Sequence, residues 1–179
     1  EKTTYTYDVL GRVATVTAPR GNALGAAAAD YQTSFAYDEV GNRIEVRSPL
    51  GHVTKWTYDD DGRMVSMVEP RGNVVGANAD QFRTRYEYDA AGNQTAVVDP
   101  LGNRTETTYD RAGNREWVKD ANQHTTSYTY DPLNRLASVT GADAPACGAG
   151  EHCVNGKAST VYSYDTVGNL TRRMDPNAH

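Results

Sequence analysis

A phenol beside a carboxylate can move a proton or hold a ligand, and this 179-residue chain carries seven such pairs. They are Tyr7-Asp8, Tyr37-Asp38, Tyr58-Asp59, Tyr88-Asp89, Tyr109-Asp110, Tyr130-Asp131 and Tyr164-Asp165. An acid–base pair has no reason to recur in this way, and the residues after each aspartate point elsewhere. In Asp8-Val9-Leu10-Gly11, Asp38-Glu39-Val40-Gly41, Asp89-Ala90-Ala91-Gly92 and Asp165-Thr166-Val167-Gly168 a glycine stands three places on, as do Gly62 after Asp59 and Gly113 after Asp110. Aspartate at the first place of a type I turn accepts backbone N–H bonds, and glycine at the fourth takes positive φ without steric cost. The repeated pair therefore reads as the start of a hairpin turn with a bulge, and its role as structural.

Four other groups are candidates for chemistry. Asp59-Asp60-Asp61-Gly62 invites calcium, but consecutive aspartates at a strand end point in alternate directions and do not converge as that ion requires, so a solvated turn is expected. Cys147 and Cys153, with His152 between them, are open to three readings: a loop disulfide, a metal site or free thiols. Two cysteines and one histidine fall short of a four-ligand zinc set. His52, His124, His152 and His179 are scattered, and no serine, histidine and acid recur at a spacing that nominates a triad. Asn93-Gln94-Thr95, Asn103-Arg104-Thr105 and Asn169-Leu170-Thr171 fit the glycosylation sequon, yet each arises from the repeat's own turn. The reading is of a protein with no catalytic residue, no metal and no cofactor.

The elements that position these residues follow from the spacing. Successive pairs are separated either by a short step, as from Tyr37 to Tyr58, Tyr88 to Tyr109 and Tyr109 to Tyr130, or by a long one, as from Tyr7 to Tyr37, Tyr58 to Tyr88 and Tyr130 to Tyr164. The short step recurs without variation, the signature of a tandem repeat with a basic period of about 21 residues. Such a unit buries its faces only against its neighbours. Pro19, Pro49, Pro70 and Pro100 each stand eight places after a pair glycine, and Gly21, Gly51, Gly72 and Gly102 come two later, which predicts a second turn with glycine again left-handed. Two turns per period leave two strands of about six to eight residues, so the unit is a β-hairpin and the array a meander.

Period 2 then assigns the faces. Tyr5 and Tyr7, Phe35 and Tyr37, Trp56 and Tyr58, Tyr86 and Tyr88, Tyr128 and Tyr130, and Tyr162 and Tyr164 each point to one side of a strand. Val16, Val46, Met67, Val97, Val118 and Val139 form an apolar row on the return strands, to be set against those aromatics. Arg173 breaks that row in the last unit and Thr107 replaces the outer aromatic in the fifth, so both places are expected to be weaker. Inserted loops account for the long steps, at about 20–33, 71–84 and 141–158, and the first two are copies of one unit.

Leu, Ile, Val and Phe together supply only 27 of 179 residues, which argues against a thick two-layer core and for a thin sheet held by ladder bonds and cross-strand aromatics. A net charge of −5, scattered through every repeat, offers no basic stripe for nucleic acid and no basic amphipathic helix for a membrane. The whole of 1–179 reads as one all-β array of seven units, a segment of something longer. Unpaired strands at its two ends are available for edge-to-edge pairing with another copy.

These units resemble the RHS/YD-repeat family, whose defining element stands here as Tyr37-Asp38-Glu39-Val40-Gly41-Asn42-Arg43 and Tyr88-Asp89-Ala90-Ala91-Gly92-Asn93. The family includes bacterial RHS-type toxin shells and the related teneurin YD repeats, and the resemblance covers the whole chain. It implies a continuous, curved antiparallel sheet that forms part of a hollow shell, secreted or at the cell surface. It also implies partners: neighbouring repeats and an enclosed C-terminal toxin or effector polypeptide that the scaffold helps deliver. In an exported protein the disulfide reading of Cys147 and Cys153 is preferred. The family's Asp-Pro-x-Gly-Leu self-cleavage motif is not matched, since Asn103 stands where Leu is required in Asp99-Pro100-Leu101-Gly102-Asn103. The alternative is an adhesion or carbohydrate-binding module in which Trp56, Trp117 or the tyrosine rows stack on sugars.

Overall fold

The computed structural model of the chain describes residues 2–144, 146, 153, 154 and 156–176, without the side chain of Cys153. The turns recur where the aspartates do, and between them lie short strands. These are β1 (Thr4–Tyr7), β2 (Val13–Thr17), β3 (Gln32–Tyr37), β4 (Arg43–Arg47), β5 (Val53–Tyr58), β6 (Met64–Val68), β7 (Arg83–Tyr88) and β8 (Gln94–Val98). They continue as β9 (Arg104–Tyr109), β10 (Arg115–Lys119), β11 (Thr125–Tyr130), β12 (Leu136–Thr140), β13 (Cys153–Val154), β14 (Lys157–Ala158), β15 (Thr160–Tyr164) and β16 (Leu170–Met174).

Fourteen of them form one antiparallel sheet of consecutive hairpins in chain order, from β1 to β12 and then β15 and β16, and the sheet is not closed. The remaining β13 and β14 pair with each other inside the third inserted loop. Internal packing divides the chain into two compact units, Glu1–Tyr86 with Val98–Gly102, and Glu87–Val97 with Asn103–His179. Strands of the large sheet run four to six residues, shorter than the six to eight expected, because the short connections, such as 8–12 and 48–52, each take five residues.

In the first unit the register sets Tyr5 opposite Val16, Phe35 opposite Val46 and Trp56 opposite Met67. Each aliphatic then faces a threonine on the following hairpin: Val16 faces Thr33, Val46 faces Thr54 and Met67 faces Thr84. The second unit repeats the pattern with Thr107 opposite Val118, Tyr128 opposite Val139 and Tyr162 opposite Arg173. Aromatic and aliphatic residues at directly opposed positions are the unit of sheet stabilisation.

The other face mixes hydroxyls with apolar side chains, Val53, Val68 and Ala96 among them. Thr6 and Thr15, Thr57 and Ser66, and Thr129 and Ser138 are cross-strand hydroxyl pairs whose oxygens lie 2.7 Å apart. Buried apolar side chains among the described residues are Val53, Val68, Ala96 and Ala158, whereas Thr17, Ser66, Ser138, Thr140 and Ser159 are buried polar ones. Burying a hydroxyl is costly unless it is hydrogen-bonded, and pairing across the strands meets that condition.

The first two inserted loops share one architecture, two short 3-10 turns at Pro19–Asn22 with Ala28–Tyr31, and at Pro70–Asn73 with Ala79–Phe82. Here the expectation for glycine divides. Gly51 and Gly102 are left-handed, with φ of 80° and 85°. Gly21 and Gly72 are not; they are buried in the 3-10 turns, and a Cβ on Gly72 would lie 2.7 Å from Phe82 Cβ and 2.8 Å from Val68 Cγ1. Their smallness lets the inserted loop fold down on the end of the sheet.

Gly72→Ala is therefore expected to destabilise the chain by about 1–3 kcal/mol, the usual cost of overpacking. Gly141→Ala, where a Cβ meets nothing within 4 Å, serves as the control. Urea unfolding followed by circular dichroism measures both, and equal midpoints would remove the close-packing role.

Candidate functional site

The residues singled out in the sequence converge on the turns. In the first, Asp8 Oδ1 accepts the N–H groups of Leu10 and Arg12, both at 2.9 Å, while Oδ2 accepts Nε of Arg12 at 2.7 Å. The backbone closes around it: the Gly11 N–H donates to Asp8 O at 3.0 Å, and the Asp8 N–H donates to Arg12 O at 2.9 Å. Asp59 and Asp131 repeat this with Arg63 and Arg135. Asp38, Asp89, Asp110 and Asp165 do so with the side-chain amides of Asn42, Asn93, Asn114 and Asn169. One carboxylate thus accepts from main chain and side chain at once, which is why Asp is followed four places on by Asn or Arg. Gly11 (φ 79°) and Gly41 (φ 102°) hold the left-handed place, and Asn134 (φ 59°) takes it in the sixth turn. After each turn the strand carries one extra residue before its tyrosine's partner, as in Thr6 opposite Thr15 but Tyr7 opposite Val13.

The hydrogen bonds hold these carboxylates below the usual range. For Asp8 and Asp131 the arginine's backbone N–H leads, and for Asp89, Asp110 and Asp165 the asparagine side chain leads. At Asp38 and Asp59 partial desolvation pushes upward, and the summed hydrogen bonds outweigh it. A base for neutral pH needs the opposite adjustment.

The tyrosine of the pair points across to the preceding hairpin. Its hydroxyl donates to the carbonyl of the first residue of the previous return strand: Tyr37 to Val13 at 2.9 Å, Tyr58 to Arg43 at 3.1 Å, Tyr109 to Gln94 at 3.0 Å and Tyr164 to Leu136 at 2.9 Å. Burial raises the hydroxyl pKa of Tyr130 above its usual value. Tyr7 is 61% exposed on β1, and Tyr88 is half-buried on β7.

The other candidates are dispersed or already bonded. Asp59 and Asp61 are both tied to Arg63, at 2.7 and 2.9 Å, and no group of three or more ligating side chains converges among the described residues. His124 Nδ1 lies 3.5 Å from Asp120 Oδ2, and the His52 N–H donates to Ser48 Oγ at 3.1 Å. Trp56 sits in the aromatic row beneath Arg43, while Trp117 is on the hydroxyl-bearing face opposite Thr108 and Ser127. Cys147 and the side chain of Cys153 lie outside the described residues, and with them the expected bond. Clefts do occur, one of them a hollow of about 490 Å³ between the Gly51-His52 turn and the second inserted loop at Pro70 and Asn73.

Sequence reasoning missed two sets of residues. Asp120-Ala121-Asn122-Gln123-His124 has neither Pro nor Gly, yet it forms the same turn: Asp120 Oδ1 accepts the N–H groups of Asn122 and His124 at 2.9 Å, and Gln123 has φ 70°. Its place one short step after Asp99 was the available signal. The asparagine of Pro-Arg-Gly-Asn was also missed. Asn73 Nδ2 lies within bonding distance of three carbonyls, of Val53, Val68 and Glu69, and Asn22 Nδ2 does the same with Lys2, Thr17 and Ala18.

An unclosed sheet of like hairpins, its recurrent side chains committed to turns and strand-to-strand bonds, defines a structural repeat protein. The chain belongs to the RHS repeat family, whose model matches residues 1–23, 37–74, 70–104, 88–122 and 109–146. No curated protein matches it. Among solved structures it is similar to the crystal structure of TcdB2-TccC3-Cdc42 and to that of TcdB2-TccC3 without its hypervariable C-terminal region, each with a TM-score of 0.65 at 16% identity. The pore of the Photorhabdus luminescens Tc holotoxin carrying a TccC3 mutation gives a TM-score of 0.64, also at 16% identity. Each match covers 94% of this chain and 9% of the other, so the chain spans under a tenth of the length of these structures. At that identity the likeness is one of fold.

Two outcomes test the turn and the tyrosine. A carboxyl whose folded pKa is depressed adds stability that is complete above its unfolded pKa and is lost as pH falls through the folded one. Urea midpoints should thus hold steady above the ordinary carboxylate value of 3.8 and decline below it, with a shallower decline in Asp110→Asn. A flat acid limb would contradict this. Tyr109→Phe removes only the bond to Gln94 O and should cost about 0.5–1.5 kcal/mol, measured in the same assay; no loss would mean the hydroxyl is merely solvated.

Proposed function

We propose that this chain is a stretch of wall in a secreted or cell-surface RHS-type shell, one array of seven units over 1–179 that encloses and helps deliver a C-terminal polypeptide. The observation that carries the reading is the uninterrupted ladder from hairpin to hairpin, with each Tyr-Asp pair used to close a turn or bond the neighbouring strand. Tyr7, Asp8 and Gly11, and their counterparts in the later units, are structural residues; the chain is not an enzyme and holds no cofactor. Support for a variable cargo comes from the TcdB2-TccC3 structure described as lacking a hypervariable C-terminal region. No helix among the described residues is long and apolar enough to cross a membrane.

A sugar-stacking surface requires aromatic faces open to solvent. In this array guanidinium groups cover several of them, Arg43 lying over both Phe35 and Trp56 at 5.8 and 5.3 Å from the ring centres. That arrangement favours the wall over the platform.

Limited proteolysis of the natural protein carrying this array tests enclosure. The polypeptide following the array should resist protease while the wall is intact, and be digested after mutations that open the turns. Equal digestion in both states would defeat the proposal.

A further inference from the structure

The residue four after the aspartate of each Tyr-Asp turn differs between units, and that difference follows the spacing. It is arginine in the first, third and sixth units, Arg12, Arg63 and Arg135, where a long step leads to the next pair at Tyr37, Tyr88 and Tyr164. It is asparagine in the second, fourth and fifth, Asn42, Asn93 and Asn114, where a short step leads to Tyr58, Tyr109 and Tyr130. Arginine therefore marks the junctions that carry an inserted loop.

Geometry gives the reason. Arg12 keeps its own turn closed through Nε on Asp8 Oδ2, and its Nη1 also reaches the next hairpin, donating to Asp38 O at 2.9 Å. Its guanidinium lies 4.7 Å from the ring centre of Tyr37, the tyrosine of that next hairpin. Arg135 repeats all of this, with Nη1 on Asp165 O at 3.1 Å and the guanidinium 4.6 Å from the Tyr164 ring. Asparagine does only the first task across a short connection, where the following turn already abuts: Asn114 Nδ2 meets Asn134 Oδ1 at 3.1 Å, and Asn42 Oδ1 is 3.6 Å from where a Gly62 Cβ would stand.

At those short junctions the stacking arginine moves one place on. Arg43 lies 5.3 Å from the Trp56 ring centre, and Arg115 5.3 Å from that of Tyr128, each the outer aromatic of the next hairpin. In the fourth unit, whose successor has Thr107 in place of that aromatic, the position is Gln94.

We infer that the residue four after each turn aspartate determines whether a junction accepts an inserted loop, an arginine there bracing the following hairpin where the chain itself no longer holds it. A connection of five residues, such as 48–52, keeps β4 and β5 together covalently. One of 14, such as 18–31, leaves more chain to order, and closure entropy grows with loop length. The brace supplies a hydrogen bond and a cation–π contact that do not pass through the loop.

Arg12→Asn isolates the brace, because asparagine closes the turn at Asp38 unaided. In the full chain this substitution, and Arg135→Asn likewise, should lower Tm by about 2–8 °C. Amide exchange should accelerate selectively in β3 and β15 respectively, not in the variant's own turn. The reciprocal experiment replaces Pro49-Leu50-Gly51 with the loop 19–31. It should cost less Tm when combined with Asn42→Arg than with Asn42 retained, and this comparison stands even if Arg12→Asn fails to fold. Unchanged Tm and exchange in both arginine variants, uniform acceleration along the chain, or a grafted loop tolerated equally with either residue at 42 would each overturn the inference.

Discussion

A single layer of strands has no second layer to bury its side chains against, so whatever holds it must act within the layer. Few apolar side chains are buried among the described residues, and the free energy must come from ladder bonds, opposed pairs and closed turns. The turn carries the heaviest demand, since reversing the chain in five residues leaves several N–H groups without strand partners. One aspartate carboxylate meets them, and the partner four places on meets its second oxygen. The tyrosine beside it, as at Tyr37, Tyr58, Tyr109 and Tyr164, then fastens its hairpin to the one before. Closure within the hairpin and attachment between hairpins are thus assigned to adjacent residues, which is why they recur as a pair.

That assignment explains which features were readable in the sequence. The Asp-x-x-Gly turn, the aromatic row and the opposed row of Val16, Val46 and Met67 all rest on local periodicity, and register follows once the turn length is fixed. What depended on distant neighbours was not readable. Gly21 and Gly72 look like turn glycines by their place after proline, but their constraint is the nearness of Tyr31 and Phe82, ten places on. Asn22 and Asn73 look like turn asparagines, yet their amides reach carbonyls of a neighbouring segment. Asp120 forms a turn without Pro or Gly because the carboxylate, rather than the punctuating residue, makes it. The candidate site was legible in residue type and location; the direction of each tyrosine hydroxyl was not, since it is set by the neighbouring hairpin.

The same economy bears on function. Catalysis needs titratable groups that converge and remain available to a substrate. In this array the Tyr-Asp carboxylates accept several bonds each and are held below their usual range, the hydroxyls of Tyr37, Tyr58, Tyr109 and Tyr164 are donated to carbonyls, and arginines lie over aromatic rings. The recurrent Tyr-Asp pairs, which a search for chemistry would select first, are committed to closing turns and bonding strands. The motif's abundance is a consequence of that role, because each added hairpin needs its own closure and its own attachment.

Repeat arrays of this kind gain stability by nearest-neighbour terms, so damage at one junction stays local and a unit can be added without redesigning the rest. Insertions test that independence, because a loop between hairpins weakens the covalent part of the nearest-neighbour term. Arg12 and Arg135 restore it through space, by a contact whose two ends are both fixed parts of the sheet. Separating attachment from connection leaves the intervening loop free to differ in length and composition, as the third insert differs from the first two. The inserted loops can then vary while the strands keep their order.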